Sequence, residues 1–240
     1  MKNMIFTMNK SKIGILLILL IILISCNKEK EEIHITPVGF KSYFPKIVDQ
    51  KEQIDFIHSI LSYTNKIAII NNDSTWLVKP AECVDFSEDS KLWIFPAKDY
   101  SVVIKQLSSG QHKLNLWQAD GTSPPMHLYG KLSELEIADI DNDGKDDILI
   151  GVSKKVKFDP IDKKRINVYS VNNGALQRKW MGTKFIYDIY SFKVCQLIGY
   201  NYLKTIEKDS LGNTWEGMYE WDDFGFSLNN LKQIKNNESN

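Results

Sequence analysis

From about residue 64 onward the chain is written as short β-branched and aromatic runs broken by Asn, Asp, Ser and Gly, and this pattern predicts a mainly β fold. Runs at 66–70 and 75–79 flank Asn71-Asn72-Asp73, and runs at 101–107 and 113–118 flank Ser108-Ser109-Gly110. Further runs at 165–171 and 176–181 surround Asn172-Asn173-Gly174, and those at 202–208 and 214–221 surround Leu211-Gly212-Asn213. Each pair reads as a hairpin. Strands that follow one another through tight turns favour a meander, as in a propeller blade or a sandwich. One helix is expected ahead of them. Asp49 and Glu52 form a capping-box pattern, and Ile54, Ile57, Ile60 and Leu61 recur at helical spacing, so 49–62 is predicted as an amphipathic helix.

The N-terminus has a different logic. Lys2, Lys10 and Lys12 precede an apolar run from Ile13 to Ile24, interrupted only by Gly14 and shorter than the roughly 20 residues a membrane span needs. The run ends in Leu23-Ile24-Ser25-Cys26, which resembles the lipobox of bacterial lipoproteins: a branched apolar residue three before the Cys and a small one just before it. This resemblance implies a signal peptide over 1–25, a lipidated Cys26 and a permanent membrane anchor, because each buried methylene adds about 0.8 kcal/mol. The charged stretch Asn27-Lys28-Glu29-Lys30-Glu31-Glu32 begins a tether over 26–48. It is similar to the export tether of Bacteroidetes surface lipoproteins, which implies the outer membrane of the cell envelope, with surface exposure left open; a plain linker would read the same.

The remaining chain is expected to form one domain over 49–231, followed by a polar tail at 232–240. The full sequence carries 30 basic and 30 acidic residues, so there is no electrostatic footprint for nucleic acid. Cys83 and Cys195 read either as a disulfide or as two buried thiols.

One segment carries chemistry. Residues 139–147 read Asp-Ile-Asp-Asn-Asp-Gly-Lys-Asp-Asp, that is D-x-D-x-D-G-x-x-D. Side chains of Asp139, Asp141 and Asp143 can converge on one point, Gly144 permits a sharp turn, the Lys145 carbonyl can face inwards, and Asp147 can close the ring with hard oxygens suited to Ca²⁺. An EF-hand would place a bidentate Glu at the twelfth position, where this chain has Ile150. The flanks, Leu135 and Ile137 before and Ile148 to Val152 after, are strands rather than helices. In Glu136 through Gly151, and on through Arg165-Ile166-Asn167-Val168-Tyr169 and the Asn-Asn-Gly turn, the sequence resembles the FG-GAP or VCBS repeats of integrin-α-type β-propellers. That resemblance spans about 130–182 and implies propeller-like blades with a calcium loop between strands. Asp85 to Lys91 reads as a degenerate copy that lacks the Gly and the closing Asp. A bare acidic turn is the alternative, but acids opposed only by Lys145 would repel by about 1 kcal/mol per pair at about 4 Å even in water. A bound cation removes that cost, so a structural Ca²⁺ is expected.

Other constellations carry less. His34, His58, His112 and His127 have no zinc spacing, and no G-x-S-x-G elbow or P-loop is present. Asp223-Phe224-Gly225 reads as a turn, and no catalytic residue is assigned. The expectation is therefore a membrane-anchored, calcium-stabilised module that binds a glycan or a protein, with an envelope polysaccharide lyase or hydrolase as the alternative.

Overall fold

The computed structural model describes residues 33–35, 66–71, 76–81, 84–86, 90–118, 121–182 and 185–234. The expected signal peptide, Cys26, most of the expected tether, the helix expected over 49–62 and Cys83 lie outside these residues.

The regular structure of the described residues is almost entirely strand, arranged in three antiparallel sheets. The first contains β1 (Ile33–Ile35), β2 (Lys66–Asn71), β3 (Trp76–Pro80), β4 (Ser90–Pro96), β5 (Ser101–Gln106), β6 (His112–Gln118), β7 (Gly121–Thr122) and β8 (Met126–Leu128). Its order is β1-β3-β2-β4-β5-β6-β7, with β8 also paired to β6. The middle sheet is a four-stranded meander of β9 (Lys131–Ala138), β10 (Asp147–Val156), β11 (Asp159–Asn172) and β12 (Ala175–Trp180). The last is a second meander of β13 (Asp188–Leu197), β14 (Tyr200–Lys208), β15 (Thr214–Asp222) and β16 (Gly225–Ile234). All four expected hairpins form, within a residue or two at most ends, although β11 begins well before 165. Among the described residues the sheets do not close into a barrel or a complete propeller ring.

The strand alternation explains how the sheets pack. In β10, Ile148, Ile150 and Val152 point one way and join Tyr169 in a core with Trp93, Ile104, Leu114 and Leu116 of the first sheet. Leu149 points the other way and joins Ile166 and Val168 against Phe192, Leu203 and Tyr219 of the last sheet. The register of β10 on β11 puts Ile148 opposite Tyr169 and Leu149 opposite Val168, so each core receives matched pairs. Because both faces of the middle sheet are covered, β10 reads as a continuous apolar run rather than an alternating one. Burying each such side chain contributes roughly 1.5–3 kcal/mol. Gly151 leaves room for both a neighbouring strand and the last sheet: a Cβ there would lie 2.6 Å from Ser133 Oγ of β9 and 3.0 Å from Phe192 Cε1 of β13.

One expectation is corrected. The polar tail does not begin at 232, because β16 continues to Ile234, with Lys232 opposite Glu216 and Ile234 opposite Thr214. Polar residues suit that strand because it is the edge of its sheet. Of the two readings left open for the cysteines, the free thiol is the one seen at Cys195, which is partly buried. Of the degenerate copy at 85–91, Phe86 is buried against Trp93, with ring centroids 5.2 Å apart.

Candidate metal centre

The acidic segment connects β9 to β10, with Ala138 and Asp147 paired directly across its base. Its curl is held from inside. Asp139 accepts hydrogen bonds from the backbone N–H of Asp143 at Oδ1, 2.9 Å, and of Gly144 at Oδ2, 2.8 Å. The Lys145 N–H donates to Asp143 Oδ1 at 2.8 Å. Asn142 and Gly144 take left-handed conformations, φ 59° and 87°, which Asn and Gly tolerate better than other residues. Between the acids, Ile140 is fully buried in the core shared with the last sheet, so the loop is anchored by one apolar plug.

The loop is also tied to the start of β14. Asn142 Oδ1 accepts the Asn201 backbone N–H at 2.7 Å, its Nδ2 donates to the Asn201 carbonyl at 3.4 Å, and Asn201 Nδ2 donates to the Asp139 carbonyl at 2.6 Å. The candidate centre therefore sits where the middle and last sheets meet.

Carboxylate oxygens of Asp139, Asp141 and Asp143 all lie within 4.8 Å of one another, the one such group of metal-ligating side chains among the described residues. Asp141 Oδ1 is buried with no hydrogen-bond partner. Three carboxylates with one uncommitted buried oxygen fit a hard divalent cation such as Ca²⁺. Lys145 lies in the exposed part of the loop. Asp147 is placed differently from the expectation: it is 2% exposed, heads β10, and its Oδ2 accepts from Lys179 Nζ at 2.7 Å rather than joining the group of three. Lys179 also pairs with Asp141 Oδ2.

The electrostatics follow from this packing. Burial pushes the Asp147 carboxyl up to about 6; Lys179 works against the shift, while Asp141 and Asp143 add to it. Burial opposes the charge of Lys179, but the Asp141 and Asp147 carboxylates outweigh it and raise its pKa above the ordinary lysine value. Asp146 is raised by burial and then by Asp139 and Asp99, with Lys98 opposing. Lys145 is thus not the sole counter-charge, as the sequence pattern implied, because strand pairing delivers Lys179 from β12. Sequence reasoning missed Lys179 and Asn201. No local signal marks either, since one sits 32 residues from Asp147 and the other 59 from Asn142.

A separate cleft of about 670 Å³ runs along β9 and β13, lined by Ser133 to Ala138 and Ser191 to Gln196, with Phe95, Pro96 and Asn201. Of its two acids, Glu134 and Glu136, Glu134 is committed to Lys164 at 2.6 Å and to the Phe192 N–H at 2.9 Å. In comparisons with known proteins, no family model matches the chain and no curated protein matches it significantly.

Proposed function

We propose that this chain is a calcium-stabilised binding module of the bacterial cell envelope, built of propeller-like blades of the FG-GAP or VCBS type and anchored to the outer membrane through lipidated Cys26. The carrying observation is the convergence of Asp139, Asp141 and Asp143 in a loop that also ties two neighbouring sheets together through Asn142 and Asn201. Bound there, Ca²⁺ supplies charge neutralisation and oxygen coordination. The three carboxylates hold it, with the Lys145 carbonyl and Asp147 as the further donors the motif implies. The role is structural, because the loop's neighbours are strand ends rather than a reacting group.

Two further features support the reading. The middle and last sheets are each four-stranded antiparallel meanders stacked face to face, the layout of successive blades. The cleft along β9 and β13 offers mixed polar and apolar lining for a glycan or protein ligand, and its Glu134 is engaged in ion pairing rather than free for acid–base work.

The test is calorimetric. Wild type and the double variant Asp139→Ala/Asp141→Ala are scanned with calcium and with chelator. Because a ligand that binds only the folded state stabilises by mass action, calcium at about 100 times its Kd raises wild-type stability by about 2.7 kcal/mol and leaves the double variant unmoved. Identical wild-type melting in calcium and in chelator refutes the reading.

A further inference from the structure

Lys179 sits at an irregularity of the middle sheet. The ladder of β11 on β12 pairs Val168 with Trp180 and Tyr169 with Arg178, so Lys179 between them is the extra residue of a bulge. Bulges re-aim side chains, and this one sends an ammonium into the acidic loop. Its Nζ pairs with Asp141 Oδ2, lies 2.7 Å from Asp147 Oδ2, and stands 5.1 Å from the centroid of the Trp221 ring in the last sheet. The side chain is 16% exposed, so the charge is held in place rather than free in solvent. Asp141 is divided: one oxygen belongs to Lys179 and the other, Oδ1, has no partner.

We propose that Lys179 is a tethered counter-ion that holds the acidic loop together without calcium and competes with calcium for Asp141 and Asp147, thereby setting the affinity of the site. The proposal rests on the calcium reading above and adds its regulation. The loop's acids repel one another, and a lysine carried by the same sheet pairs with two of them and offsets one unit of their charge without any ion from solution. A positive charge beside the site also repels a divalent ion: at about 6 Å, even with the dielectric of water, this weakens calcium binding on the order of tenfold. With Asp147 drawn toward Lys179, three carboxylates rather than four stand ready for the ion. Calcium then gains its full donor set only by displacing the ammonium from both carboxylates.

The experiment titrates calcium into the full-length chain by isothermal calorimetry, for wild type and Lys179→Met, and records melting of both in calcium and in chelator. Lys179→Met is expected to bind calcium about tenfold more tightly. It is also expected to melt lower in chelator, with a wider gap between the two melting temperatures. A lysine with a merely structural role would lower both melting temperatures alike and leave Kd unchanged, and that result overturns the proposal while leaving the calcium reading intact. Absence of any binding heat in both proteins overturns the calcium reading, and the competition with it. Should the Met variant not fold, Lys179→Gln, which removes the charge but keeps a polar end, is expected to show the same tightening; an unchanged Kd there is equally fatal.

Discussion

Replacing Asn142 tests whether the acidic loop is locked to the last sheet. Asn142→Ala removes the acceptor for the Asn201 N–H at 2.7 Å and a longer contact at 3.4 Å to the Asn201 carbonyl. The shorter bond is worth about 1 kcal/mol at an exposed site, and the longer one adds little. The second loss is conformational. Asn142 holds φ 59°, where a Cβ costs about 1–2 kcal/mol and which Asn tolerates better than Ala. Asn142→Ala is therefore expected to cost about 2 kcal/mol, which for a domain of this size lowers Tm by about 4–8 °C. Asn142→Gly loses the same bonds but adopts the left-handed conformation freely, so its expected loss is about 1 kcal/mol, or about 2–4 °C. Both variants are melted in chelator, monitored by circular dichroism, so that ion binding does not enter. Equal melting of the Ala and Gly variants refutes the conformational part of the reasoning, and wild-type melting of both refutes the lock.

Asp147 gives a pH dependence of definite sign. Burial pushes its folded-state carboxyl up to about 6, well above the ordinary aspartate value, so folding is weakened by this group once it must ionise. Its contribution is most favourable below pH 4 and is lost as pH rises through 6, a change of about 3 kcal/mol at most by linkage. In chelator, Asp147→Asn is expected to flatten the rise in stability seen on acidifying from pH 7 to pH 4; an unaltered slope would show that burial does not govern this carboxyl. At the other end of the chain, Cys26→Ala is expected to abolish incorporation of labelled lipid and to block signal removal, and labelling equal to wild type would reject the anchor.

The β character, the hairpins and the acidic loop were legible from residue order because each depends on neighbours within a few positions. Asn-Asn-Gly between two β-branched runs specifies a turn wherever it occurs, and Asp at every second position with a following Gly brings carboxylates together by local curvature alone. The run Ile148 to Val152 showed that a strand was present, but not that its two faces serve two different cores, since apolar residues on both sides look the same whichever sheet covers them. Tertiary structure alone decided the counter-charge. Lys179 is one lysine among many in the sequence, and only the pairing of β12 on β11, with a bulge at that residue, directs its ammonium to Asp141 and Asp147. The same holds for Asn201, whose backbone meets Asn142 because the two meanders stack face to face. Local chemistry is written in short spacings; which distant charge or amide completes it depends on strand register and sheet packing, and these are set by the sum of many contacts rather than by any one segment.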